Sequence, residues 1–344
     1  MLRHWRELEE ILHAHPAPDL DITCALGPAP GPREPAHRLL RAWHKYFAYP
    51  RLVGRIERAD VLHVLDHSFA HVLRHAPRGA RKIVTVHDIA PLADHTLTTA
   101  QERRFRDTLL WLSHADLLLC DSAYTAASIR ELVGSRPRIE VLLLGVNTHA
   151  FQVPRPLPEH LALPPRPRLL SVGSAIPRKN LATFPAILKR VIEKIGPVSL
   201  LRAGQPLPPD LRAEIESILP RGNLVEYGRA SDADLVALYQ ASDVLVFPST
   251  LEGFGLPLIE AMAAGCAVVS SRASSLPEVG SDAALYFDPH DADEAAARIV
   301  EVLRQPALRS ELTERGRQRA GELSWENHWR NLANIYRRPG GPAA

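Results

Sequence analysis

Two glutamates, Glu252 and Glu260, stand with seven residues between them in VFPSTLEGFGLPLIEAMAAGCAVVSS, and Gly253, Phe254, Gly255, Leu256 and Pro257 fill most of the gap. Two carboxylates so spaced grip different parts of one polar ligand if a turn folds between them. The glycines let backbone amides approach an anion closely, and the N-terminus of a following helix adds partial positive charge. The plain alternative is a structural loop with two surface glutamates. Glycines, proline and both acids in one short string argue against it.

A second set is cationic. Arg178, Lys179 and Asn180 follow an apolar run, Arg168–Val172, and the pair Gly173-Ser174. Fixed Arg and Lys donors hold a phosphate and stabilise negative charge that develops on it more than they stabilise the ground state. Arg brings a planar fork and Lys a point charge. A solvated basic turn is the alternative. A third set, His87 and Asp88, closes the run Lys82–Val86; it reads either as a pair capping a strand end or as a polar tip entering a site.

The histidines His63, His67, His71 and His75 recur every four residues, a spacing that on one helix would present a metal-binding face. However, Val61–Leu65 reads as a strand, which takes His63 off any such helix. Asp66 and His67 then fall at that strand's carboxyl end, where they would line an acceptor site; a surface role is the other reading. The Asp-x-Asp pairs at Asp19–Asp21, Asp232–Asp234 and Asp291–Asp293 suggest a cation site in principle. The second and third open helical stretches, where aspartate caps N–H groups. With Arg and Lys available for phosphates, no metal and no cofactor is expected.

These residues need a scaffold that brings loops together. Apolar runs alternate with helical stretches, the α/β signature: Ile22–Leu26, Val61–Leu65, Lys82–Val86, Leu117–Cys120 and Ile139–Leu144, then Arg168–Val172, Ser199–Ala203, Leu224–Tyr227, Val244–Phe247, Ala267–Ser270 and Ala284–Phe287. Leu258–Ala264 reads as a helix with Pro257 in its first turn, where a missing N–H costs nothing. The candidate loops all follow strands, at the carboxyl ends where open α/β sheets bind ligands. Phe151–Arg168 is rich in proline and suits an extended linker. The expected division is 1–153 and 154–323, with a last helix over 324–338.

The Glu252–Glu260 segment resembles the donor-binding motif of the family-four retaining glycosyltransferases. The likeness extends through SSLPEVGSDAALYFDPHDADEAAARIVEVL (Ser274 to Leu303), SVGSAIPRKNL (Ser171 to Leu181) and TVHDIAPL (Thr85 to Leu92). It implies a GT-B fold, two Rossmann-like doubly wound parallel-sheet domains facing a central cleft, with the last helix crossing back to the N-domain. It also implies a retaining, metal-independent hexosyl transfer from a nucleotide diphosphate sugar, GDP-mannose-like or UDP-linked, to a glycan, lipid-linked or small-molecule acceptor. The string most resembles bacterial mannosyltransferase-type members. On this reading Glu260 binds the ribose and Glu252 the transferred sugar. Arg178 and Lys179 hold the phosphates with amides of Gly253 to Leu256. Gly173, Ser174, Asn180, Gly204 and Tyr227 complete the donor site. His87 contacts the donor sugar, while Asp66, His67 and Asp88 lie on the acceptor side. In one respect the sequence departs from the family: no short strand and glycine-rich loop precede the first helix, so no contact is assigned to them. A non-catalytic transferase-like subunit and a sugar-nucleotide epimerase are the competing classes; the second would need acid–base residues around the sugar ring.

At 344 residues, 46% hydrophobic, 23% charged and net charge +2, the chain has ample core for two domains and no charge excess suited to nucleic acid. Cys24, Cys120 and Cys266 match no metal spacing and fit a reducing cytoplasm. No apolar signal region opens the sequence and no apolar run is long enough to span a bilayer. Residues 36–58 mix Arg and Lys with Trp43, Tyr46, Phe47 and Tyr49. Such a stretch suits an anionic membrane surface; a helix pair packing its aromatics inward is the alternative.

Overall fold

Two kinds of strand face build the first sheet. Val84, Val86, Leu118 and Cys120 point into one buried cluster, while Ile83, Leu117 and Leu119 point into another. Alternate residues of one strand face opposite ways, so helices must cover both sides. The structure is a computed structural model and describes residues 2–24, 38–89, 92, 97–134, 137–156 and 163–338. Its strands are β1 (Val61–Val64), β2 (Arg81–Val86), β3 (Leu117–Cys120), β4 (Arg138–Val141), β5 (Arg168–Gly173), β6 (Ser199–Gly204), β7 (Leu224–Gly228), β8 (Val244–Phe247), β9 (Ala267–Ser271) and β10 (Leu285–Phe287). All pair in parallel.

The chain divides into two compact units, Met1–Leu143 with His328–Ala344, and Leu144–Asn327. The first holds the sheet β1-β2-β3-β4. One of its faces is covered by Leu8 of the opening helix and by Trp329, Leu332, Ala333 and Ile335 of the helix Trp325–Arg337. The last helix is thus part of the first unit's core from His328 onward. Residues 22–24 of the expected first strand form no strand, and 25–26 lie outside the described residues.

The second unit holds the sheet β10-β9-β8-β5-β6-β7. The chain enters at β5, winds outward through β6 and β7, then returns to the other side of β5 with β8. Loops leaving β5 and β8 therefore diverge around one crevice, the topological switch point of an open parallel sheet. Residues 144–153 lie with this unit, ten residues before the expected division: Gln240 Nε2 donates to the carbonyls of Phe151 (2.8 Å) and Val153 (2.9 Å). Residues 157–162 of the expected linker lie outside the described residues.

Candidate active site

The switch point collects the cationic and acidic loops. β5 ends at Gly173 (φ +126) beside Gly204 (φ +118), which ends β6. A Cβ on Gly204 would sit 2.1 Å from the Gly173 carbonyl oxygen, so no side chain fits there. The chain then makes one tight turn, Pro177–Lys179, and Asn180 ends it in the left-handed region. Asn180 Nδ2 donates to the carbonyls of Pro248 (3.1 Å) and Pro289 (2.8 Å), and Thr250 N donates to the Arg178 carbonyl (2.8 Å). The two loops are stitched together before any ligand arrives.

Charge then concentrates on one carboxylate. Arg178 Nη1 donates to Glu252 Oε2 (3.0 Å) and the Leu251 carbonyl (2.9 Å), and Lys179 Nζ donates to Glu252 Oε1 (2.5 Å). The turn is not a solvated one: the Arg178 and Lys179 side chains are only 17% and 12% exposed, because the Glu252 loop folds over them. Burial lowers the Lys179 pKa, against the pull of Glu252, and the ammonium lies 5.0 Å from the Phe247 ring centroid. Beneath the loop lies Arg202, 1% exposed. It donates to Ser171 Oγ (3.1 Å) and to the carbonyls of Gly173 (2.6 Å), Ser174 (3.0 Å) and Gln205 (3.3 Å). Burial brings its pKa down to about 10, so it stays charged at neutral pH. Two basic side chains therefore meet one carboxylate here, with the Arg202 guanidinium beneath their loop.

Neither glutamate is a surface residue. Glu252 is 6% exposed and Glu260 3%. Ser274 Oγ accepts from Glu252 N (2.8 Å), and Ser275 Oγ donates to the carbonyls of Glu252 (3.0 Å) and Phe254 (2.9 Å), which shapes the loop from outside. Gly255 (φ +107) begins the helix Leu256–Ala264, where a Cβ would lie 2.7 Å from Leu276 Cδ2. Glu260, one turn in, accepts from Tyr239 OH (2.9 Å). The structure thus gathers Gly173, Ser174, Arg178, Lys179, Asn180, Gly204 and Glu252 around one crevice. Tyr227 lies elsewhere, on the edge strand β7, two strands from β5.

In the first unit His87 is held by two acceptors. Nδ1 donates to Asp121 Oδ2 (2.7 Å) and Nε2 to the Leu65 carbonyl (2.9 Å). Burial alone would lower its pKa, but the charge and hydrogen bond of Asp121, with Asp66 and the Leu65 carbonyl, push it up to about 9. With both nitrogens donating, the ring is an imidazolium and no base. The carboxylate on its Nδ1 belongs to Asp121. Asp66 caps the turn His67–His75 through Ser68 N (2.7 Å), and His67 lies edge-on to Phe105, its pKa lowered by burial.

The other histidines are engaged locally. His63 is bonded to Tyr336 OH (2.7 Å) and Thr85 Oγ1 (2.8 Å), and His71 Nε2 donates to the Lys45 carbonyl (2.8 Å). Among the described residues no three His, Cys, Asp or Glu side chains converge as metal ligands would. Asp291 caps its helix, accepting from Asp293 N and Glu294 N (2.9 Å each). Ser231 rather than an aspartate caps the helix at Asp232, and Asp19 pairs with Arg337 (2.6 Å).

Sequence reasoning missed Asp121, Arg202 and Tyr239. Asp121 directly follows the run of β3, the same position that singled out His87. Arg202 is a lone charge inside the buried run SLLRAG, and that oddity was a usable signal. Tyr239 carried none, being one more aromatic on a helix.

Two units, each built on an all-parallel sheet, are the architecture of the GT-B glycosyltransferases. The profile of glycosyl transferases group 1 matches residues 157–319, and that of glycosyltransferase family 4 matches residues 8–150. The chain belongs to the family-four glycosyltransferases, enzymes that use a nucleotide-sugar donor. It is 31% identical to O-antigen chain mannosyltransferase B of Escherichia coli over 76% of this chain and 71% of that protein. It is 29% identical to the MMP alpha-(1->4)-mannosyltransferase of Mycolicibacterium hassiacum, over 87% and 77%. Among solved structures, sucrose-phosphate synthase from Thermosynechococcus elongatus shares the fold with a TM-score of 0.74 at 22% identity, covering 97% of this chain and 92% of that one. Trehalose-6-phosphate synthase OtsA does so with 0.69 at 18%, covering 88% and 78%.

Proposed function

We propose that this chain is a retaining hexosyltransferase, mannose being the first sugar to test, that works in the cytoplasm without a metal ion. The observation that carries the reading is the Glu252 carboxylate bridging Arg178 and Lys179 at the switch point. The donor's diphosphate takes Arg178 and Lys179, Glu252 turns to the sugar hydroxyls, and Glu260 takes the ribose hydroxyls. Asn180 positions the loop, and the amides of Gly253 to Leu256 complete the phosphate cradle. The relatives named as mannosyltransferases support a mannosyl donor, GDP-mannose or a UDP-sugar, and a glycan, lipid-linked or small-molecule acceptor.

As the bond from the anomeric carbon to the phosphate oxygen breaks, charge grows on the phosphate, and the buried cations stabilise it. The acceptor oxygen bonds to the anomeric carbon on the face the phosphate leaves, and the acceptor's proton passes to a phosphate oxygen. An imidazolium at His87 supports this division of labour, because a doubly protonated ring cannot take that proton. Asp66, His67 and Asp88 are assigned to the acceptor.

Proton NMR of the fresh product, reading the anomeric coupling, tests the mechanism: the donor's configuration is kept, and an inverted linkage overturns the proposal. Activity that survives EDTA supports the metal-free route, while loss restored by Mn²⁺ or Mg²⁺ refutes it.

A further inference from the structure

The segment Arg38–Val53 is one continuous helical stretch whose middle turn, His44–Ala48, is the wide π form. Helical turns of this kind concentrate at functional sites. Its later residues serve the core: Pro50 and Val53 are buried, and Tyr49 packs against Phe69 with ring centroids 5.2 Å apart. Four other large apolar or aromatic residues face outward. Leu40 is 45% exposed, Trp43 54%, Tyr46 54% and Phe47 52%. Leu40, Trp43 and Phe47 are spaced three and four apart, the interval of a single helix face. An exposed stripe of this kind marks a surface that something covers.

Its charge names the cover. Residues 38–56 and 67–78 hold seven Arg and Lys and no Asp or Glu, in a chain whose net charge is only +2. Arg51, Arg55, Arg74 and His75 line one shallow concavity of about 570 Å³ with Tyr46 and Phe47. Among the described residues none of these three arginines meets a carboxylate. Two of them lie over aromatic rings instead, Arg51 over Phe47 (5.9 Å) and Arg74 over Trp111 (5.7 Å).

We infer that this face docks on an anionic lipid surface, with Leu40, Trp43 and Phe47 entering the headgroup–acyl boundary and Arg51, Arg55 and Arg74 meeting lipid phosphates. A second copy of the chain is a poor occupant, because a symmetric contact would set this arginine-rich face against itself. Nucleic acid would use the cations but gives the leucine no role. The inference is independent of the donor-site reading.

Flotation of the full chain with vesicles tests it. Binding to phosphatidylcholine vesicles containing a third phosphatidylglycerol exceeds binding to pure phosphatidylcholine, and falls as salt is raised from about 0.1 to about 0.5 M. Arg51→Glu with Arg55→Glu lowers the partition by more than tenfold, at about fivefold per cation removed. Trp43→Ser with Phe47→Ser lowers it at every salt concentration. Both double variants touch exposed side chains, so their melting temperatures and their transfer to a water-soluble acceptor stay at the wild-type level. Equal binding to neutral and anionic vesicles, or wild-type partition in both variants, overturns the inference. So does self-association by sedimentation that the same substitutions abolish.

Discussion

The two units hold positive charge in different ways. In the second, the cationic side chains are Arg178, Lys179 and Arg202; burial lowers the Lys179 pKa and brings that of Arg202 down to about 10. In the first, the charge at His87 is a borrowed proton that exists because Asp121 is 2.7 Å away. His63, in the same unit, shows the outcome without a carboxylate: burial takes its pKa down to about 3 and the ring is neutral. The Arg202 charge therefore persists across physiological pH, whereas the histidine charge is conditional on one neighbour.

The sharpest way to break this contrast is to remove a donor-side basic group. Lys179→Ala or Arg178→Ala lowers the transfer rate constant by roughly 10²–10³-fold, the scale for losing one preorganised donor to developing charge. Steady-state kinetics reads this, and near-wild-type turnover in both variants would remove the phosphate assignment.

Removing the conditional charge comes next. Asp121→Asn removes the main offset to burial and lowers the His87 pKa, so activity at about pH 8 falls roughly 10-fold or more, on the scale of losing a charged orienting partner. The alkaline limb of the pH–rate profile moves to lower pH. Stability follows with a definite sign. The folded pKa of His87, about 9, lies above its ordinary 6.5. Its contribution is full below 6.5 and is lost as pH rises through 9. Melting temperatures of wild type therefore fall over that window more than those of Asp121→Asn. An unchanged profile would show that the imidazolium plays no part.

A third test separates the two acids. Glu260→Ala weakens binding of free nucleoside diphosphate by about tenfold, or 1.4 kcal/mol. Glu252→Ala keeps or tightens that binding, since it frees both cations, and it weakens the intact donor. Calorimetry with both ligands decides; equal loss of nucleotide in the two variants refutes the division.

Arg202 gives the smallest effect. Arg202→Met lowers diphosphate affinity severalfold while leaving the uncharged nucleoside unaffected, as a charge acting at a distance predicts. Arg202→Lys restores most of it. A purely structural clamp would instead weaken both ligands alike.

Much of the second unit was legible from sequence because its site is local. The strands β5, β8 and β9 are short apolar runs bounded by glycine and proline, and both loops directly follow such runs. The first unit was less legible. Its strand β1 was read correctly, which separated His63 from the other histidines. Yet His87 and Asp121 lie 34 residues apart on neighbouring strands, and no periodicity links them. Trp325–Arg337 reads as a helix, while its place against Leu8 and Ile83 is a tertiary fact.

The sequence by itself determined which residues carry charge and which strand end each one leaves, because hydrophobic period and turn residues are local properties of the chain. The tertiary structure alone decided what each charge faces. Sheet order brought Glu252 onto Arg178 and Lys179 and brought Asp121 onto His87. Burial then set which side chains stay ionised, since an ion out of water keeps its charge only where a partner compensates for the lost solvation.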